Sequence, residues 1–218
     1  MLRSLVGSEM CIRDRRTTYR IKAGVPGPLV EAAIIDAEGN FLPADGEAQG
    51  ELVLRAPWLS EGYFNEPQKG AELWEGGWLH TGDVATLDSM GVIDIRDRIK
   101  DVIKTGGEWI SSLDLEDLIS RHAAVREVAV VGIADPQWGE RPFALLVIRE
   151  GHEIGARELK EHLKPFVELG HLSKWAIPSQ IALVTEIPKT SVGKLDKKRI
   201  RVDISEWQAS NSTFLSTL

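Results

Sequence analysis

Cysteine is almost absent: the 218 residues contain one, Cys11. An intrachain disulfide and a cysteine-based zinc site are therefore excluded, and thiolate chemistry outside the opening segment is excluded with them. Such usage fits a reducing compartment, the cytoplasm. Long apolar runs are also missing. The longest spans 128–134, far below the roughly 20 residues of a membrane helix, so no membrane span is expected. A basic excess is lacking too, since 26 Lys and Arg face 33 Asp and Glu for a net charge of −7. Nucleic acid is a poor partner for that balance, and an anionic ligand would have to be met locally. The five histidines are scattered and form no Ser/His/Asp arrangement. No Gly-x-Gly-x-x-Gly or P-loop spacing occurs. The opening MLRSLVGSEMCIRDR is too broken by charge for a secretory signal and joins no periodic pattern, so residues 1–15 are read as a non-native leader.

What remains is ordinary globular composition, 43% hydrophobic and 27% charged, in a chain long enough to bury a core without staples. The expected fold class is α+β. Residues 16–98 show short β runs separated by turn chemistry: Ala32–Asp36 before Glu38-Gly39-Asn40, the strand opened by Gly50-Glu51, and a hairpin of Val84–Leu87 with Val92–Ile95. We read them as a partial β-barrel-like subdomain. From 99 to 204 the pattern changes to a small α/β domain. Ser111 and Ser112 offer N-caps, Asp114, Glu116 and Asp117 suit a helix start, and Leu115, Leu118 and Ile119 make an apolar stripe, predicting a helix over 112–122. Strands are predicted at Val128–Ile133, Phe143–Ile148 and Gln180–Ile187, with a second helix over Ala156–Lys164 that Pro165 interrupts. Residues 205–218 are read as a polar, frayed tail. Glu158 and His162 stand four apart but lack a third ligand, so they are expected to be exposed and metal-free.

Three segments could carry chemistry. In Trp78-Leu79-His80-Thr81-Gly82-Asp83, a glycine beside an aspartate lets the backbone turn while a carboxylate points outward, able to accept from adjacent ribose hydroxyls. Taken alone, a capped turn is the commoner reading. Arg96-Asp97-Arg98-Ile99-Lys100-Asp101 precedes Lys104-Thr105-Gly106-Gly107. Alternating charge usually marks a salt-bridged edge, although a guanidinium there could grip phosphate or ribose and the glycine pair could admit a passing ligand. Pro188-Lys189-Thr190-Ser191-Val192-Gly193-Lys194 presents Lys194 at the end of a turn as a compact cation. A solvated loop lysine is the competing reading, but the local basic excess over 189–201 makes an anionic ligand more plausible.

In this order, together with Gly50-Glu51-Leu52-Val53-Leu54-Arg55 and Gly62-Tyr63-Phe64, these segments resemble the C-terminal part of AMP-forming acyl-CoA synthetases, members of the adenylate-forming superfamily. The resemblance runs from about Arg20 to Arg201. Gly106-Gly107 with Glu108-Trp109-Ile110-Ser111-Ser112 is most similar to bacterial medium-chain and other fatty-acid ligases. The resemblance implies that Asp83 holds the ribose hydroxyls and that Arg98 contacts ribose or phosphate. It places Lys100 at a domain swivel, Gly106 and Gly107 along the pantetheine tunnel, and Lys194 in adenylate formation. It implies a carboxylic acid, ATP and CoA as substrates, AMP as product, and Mg²⁺ with its ligands in an upstream part, as are the phosphate loop and the acyl pocket. The chain is accordingly expected to be a C-terminal fragment, without turnover in isolation. A domain that loads a carrier-protein pantetheine, or a non-catalytic nucleotide-binding module, is the alternative.

Overall fold

The computed structural model describes residue 19, residues 22–209 and residues 215–217. The expected leader, 1–15, lies outside the described residues. The chain divides into two compact units, unit 1 up to Ile99 and unit 2 from Lys100 onward.

Unit 1 is built on β1 (Glu31–Ile35), β2 (Gly50–Arg55), β3 (Leu79–Leu87) and β4 (Ile93–Arg98). They form an antiparallel sheet in the order β1-β2-β3-β4, open and not closed into a barrel. Ile34, Leu52, Ala85, Leu87 and Ile93 make its small core. A short helix, α1 (Pro67–Leu73), has proline in its first turn, where the missing N–H has no intrahelical partner to lose. The predicted hairpin is present: Asp88 closes it, its Oδ1 accepting from the N–H groups of Met90 and Val92 at 2.9 Å each.

Unit 2 begins with the hairpin β5 (Ile103–Thr105) and β6 (Glu108–Ile110), followed by α2 (Ser112–Ser120), β7 (Val125–Asp135), β8 (Gly139–Ile148), α3 (Ala156–Glu168), β9 (Gln180–Leu183), α4 (Lys197–Ala209) and β10 (Leu215–Thr217). The sheet runs β10-β9-β8-β5-β6, and β7 pairs with β8. β9 is parallel to β8 and the other pairs are antiparallel. Period-two alternation sends Val128, Val130, Ala144 and Leu146 to one face, among Leu115 and Ile119 of α2 and Leu159 and Leu163 of α3. Ala129, Val131, Phe143 and Leu145 go to the other face, with Ile200 and Ile204 of α4. Burial on both faces makes β7 and β8 continuous apolar runs.

Several boundaries differ from the sequence reading. Helix α2 starts as expected, with Ser111 Oγ accepting from Asp114 N at 3.0 Å, and ends at Ser120. Helix α3 continues through Pro165 to Glu168, because Phe166 and Val167 pack against the core of that face and offset the lost backbone hydrogen bond. β9 stops at Leu183, where its ladder with β8 ends at Leu146. Helix α4 reaches Ala209, well into the expected tail. Glu158 is paired with His122 at 3.5 Å, while the half-buried His162 bonds Leu118 O through Nε2 at 2.9 Å. Among the described residues, no helix is long and apolar enough to cross a membrane.

Candidate nucleotide site and lysine arm

In unit 1 the Thr81-Gly82-Asp83 segment is extruded by a mismatch in the sheet. The β2–β3 register passes from Val53↔His80 to Glu51↔Val84, so β3 carries surplus residues there, a bulge that re-aims side chains. Gly82 adopts φ +69°, a conformation glycine supplies without steric cost. The bulge is held from beneath by Glu51, a residue whose supporting role the motif reading missed. Its Oε1 accepts from Gly82 N at 3.1 Å and its Oε2 lies 2.9 Å from His80 Nδ1. Thr81 Oγ1 donates to Leu52 O at 2.7 Å and accepts from Asp83 N at 3.1 Å. An acidic side chain inside an otherwise apolar strand was the available signal for Glu51.

Asp83 and Arg98 are cross-strand partners. Arg98 Nε lies 2.7 Å from Asp83 Oδ1 as an ion pair. Among the described residues the second oxygen, Oδ2, has no hydrogen-bond partner, and the Asp83 side chain keeps 20% of its exposure. The pair thus combines one occupied and one open carboxylate oxygen with a cation of which 59% is exposed, an arrangement suited to a neighbouring diol and phosphate.

In unit 2, Gly106 and Gly107 form the two-residue loop between β5 and β6, with Thr105↔Glu108 as its closing pair. Their φ values of +58° and +85° meet the type I′ requirement for positive φ at both central positions. Gly106 N donates to Trp138 O at 3.0 Å, and a Cβ on Gly106 would stand 3.2 Å from the Trp138 ring. Trp138 in turn packs against Trp175, the rings tilted by 38° with centroids 4.4 Å apart. Gly106→Ala is expected to cost about 1 kcal/mol from its left-handed conformation, with further cost from crowding against the indole. A thermal melt checks this, and an unchanged midpoint would contradict it.

Lys194 is exposed at the return of a narrow loop whose stem is the bridge Lys189↔Leu195. Thr190 N donates to Lys194 O at 2.7 Å, and Gly193 N donates to Thr190 O at 2.9 Å. The stem is anchored on both sides. Lys189 Nζ lies 2.8 Å from Glu127 on β7, a hydrogen bond that holds the Glu127 carboxyl below its usual range. Leu195 packs against the α4 face of the core. Lys197, at the start of α4, is buried, donating to Ser112 Oγ at 2.6 Å and lying 2.8 Å from Glu116 Oε1. Lys100 opens unit 2, and its carbonyl accepts from Arg201 at 2.9 Å. The structure therefore joins Asp83 to Arg98 within unit 1, and Gly106 to Gly107 in one turn of unit 2, where Lys100 and Lys194 also belong. Among the described residues no group of three or more His, Cys, Asp or Glu is placed to hold a metal ion.

Residues 114–194 match the AMP-binding enzyme C-terminal domain. The chain is 43% identical over 194 residues to the long-chain-fatty-acid–CoA ligase of Thermus thermophilus, covering 88% of this chain and 35% of that one. It is 37% identical over 188 residues to the medium-chain-fatty-acid–CoA ligase of Ectopseudomonas oleovorans, covering 86% and 33%. Among solved structures it is similar to an amide bond synthetase from Marinactinospora thermotolerans, with a TM-score of 0.70, 34% identity, and 84% and 36% coverage. It is also similar to the o-succinylbenzoate CoA synthetase of Bacillus subtilis in complex with its acyl-adenylate intermediate, with a TM-score of 0.70, 30% identity, and 83% and 35% coverage. The chain spans about a third of the length of the relatives it matches. Residues 114–194 are thus matched as an AMP-binding enzyme C-terminal domain, and over most of its length the chain is similar to part of these CoA ligases.

Proposed function

We propose that this chain supplies the C-terminal part of a cytoplasmic, AMP-forming acyl-CoA ligase acting on a carboxylic acid of the fatty-acid type. In the first half-reaction the substrate carboxylate attacks the α-phosphorus of ATP, the bond to the β-phosphate breaks, and pyrophosphate leaves acyl-AMP behind. In the second, the CoA thiol gives up its proton and its sulfur attacks the acyl carbonyl, displacing AMP. Unit 1 contributes part of the adenosine site and unit 2 is a lid that swivels at Lys100 to serve both steps. Lys194 meets the charge that gathers on the phosphate and carboxylate oxygens during adenylation. As an ammonium it acts there without gaining or losing a proton. Gly106 and Gly107, lacking side chains, let pantetheine pass along the backbone.

The observation that most supports this reading is the Asp83–Arg98 pair. Its open Oδ2 can accept from one ribose hydroxyl while the exposed guanidinium turns toward the ribose or phosphate. In the full-length enzyme Asp83→Ala should weaken ATP and AMP binding by about 10- to 100-fold, the worth of a hydrogen bond to a charged group. Titration calorimetry reads this directly. Unchanged nucleotide affinity would remove Asp83 from the site.

A further inference from the structure

The peptide link between the two units is pinned on both sides. On the unit 1 side Ile99 donates its N–H to Gly82 O at 2.9 Å, next to Asp83. On the unit 2 side the Arg201 guanidinium donates to Lys100 O at 2.9 Å and to Asp101 Oδ1 at 3.0 Å. Peptide groups are planar, so only φ and ψ turn easily. With Ile99 N and Lys100 O both held, the torsions of Ile99 and Lys100 are the ones that can rotate without breaking either anchor.

Arg201 also lies one turn into α4, the helix that follows directly on Lys194-Leu195-Asp196. Its neighbours Ile200 and Ile204 are fully packed in the core of unit 2, and Lys197 ties the same helix to α2. Swivel and lysine arm are therefore linked through one rigid helix and one guanidinium. The Arg201 side chain is 33% exposed and that of Asp101 15%, so the contact is partly shielded from water.

We infer that Arg201 is a positioning residue for Lys194: it clamps the lid side of the swivel to the helix carrying the arm, so that a turn at Ile99 and Lys100 brings the ammonium to a single place. This rests on the reading of unit 2 as a lid. Without the clamp, the torsions of Asp101 join the swivel and the arrival point of the arm spreads. Reacting groups misplaced by about 1 Å can lose about 10²-fold in rate, so even a small spread is costly. The thiol step, which does not use Lys194, is less exposed to that error.

The test uses the full-length enzyme with both half-reactions assayed separately. Arg201→Met should lower kcat for acyl-AMP formation by about tenfold with KM for ATP within about twofold. CoA attack on preformed acyl-AMP should stay within about threefold of the parent. Arg201→Lys, able to reach one of the two acceptors, should fall between parent and Arg201→Met while melting like the parent. Adenylation at the parental rate in both variants, or equal losses in both half-reactions, would overturn the inference. If Arg201→Met does not fold, Arg201→Lys and Arg201→Gln decide by the same criterion. Lys194→Ala run alongside separates the two failures. If it selectively abolishes adenylation while the Arg201 variants do nothing, this inference alone falls; if Lys194→Ala is itself unselective, the lid reading falls and takes the inference with it.

Discussion

Lys194→Ala in the full-length enzyme is expected to slow acyl-AMP formation by about 10²- to 10³-fold, the usual consequence of deleting one preorganised donor to developing charge. CoA attack on preformed acyl-AMP should change by no more than about threefold. The asymmetry follows from where the proposed function places the ammonium. As the carboxylate approaches the α-phosphate, negative charge crowds onto oxygens that water no longer reaches, and a cation delivered by the lid is worth more there than in bulk solvent. Lys194 starts from an exposed position at the tip of an anchored loop, so it gives up little protein contact when it moves. In the proposed reaction its role ends once pyrophosphate has left. Pulsed assays of pyrophosphate release and of thioester formation from supplied acyl-AMP measure the steps independently. Comparable losses in both would show that the residue supports the fold of the loop instead of the transition state.

Lys197→Met is expected to destabilise unit 2 by about 3–5 kcal/mol, because it removes one partner of a buried ion pair. The Lys197 and Glu116 side chains are only 9% and 12% exposed. Glu116 Oε1 also accepts the N–H of Val130 at 2.8 Å. Among the described strands β7 pairs with β8 alone, so this contact satisfies an outward-facing backbone donor at a sheet edge, a position that otherwise invites foreign strands. Removing the ammonium takes away the cation paired with the buried Glu116 carboxylate. Adding Glu116→Gln to Lys197→Met should recover most of the loss, since the amide oxygen still accepts from Val130 while the carboxylate charge is gone. Chemical denaturation of the single and double variants provides the measurement. If the double variant is no more stable than Lys197→Met, the penalty does not arise from the broken ion pair.

Much of the architecture was legible along the chain. The apolar runs at 128–133 and 143–148 read as strands, and their burial on both faces came from the packing around them. Ser111 capped α2 because its hydroxyl is the right distance from the third following amide. The segments around Asp83, Arg98 and Lys194 were recognisable because each motif is made of neighbours in sequence. Other features gave no such sign. β5 and β6 are too short to show a period, so the hairpin that the Gly106-Gly107 turn closes was visible only in its ladder. Pro165 argued for a helix end, yet the packing of Phe166 and Val167 carried α3 past it.

The division has a physical cause. Residue order along the chain decided what local geometry and burial pattern control: the periods of β7, β8 and α2, the turn glycines, the exposed lysine after Gly193, and the family that these motifs imply. Tertiary folding alone decided which distant groups share a proton or a charge. Glu51 reached beneath Gly82, Lys197 found Glu116, and Arg201 closed on Lys100 and Asp101. Hydrogen bonds act over about 3 Å and in fixed directions, so such partners exist only after the sheets and helices have brought remote segments together.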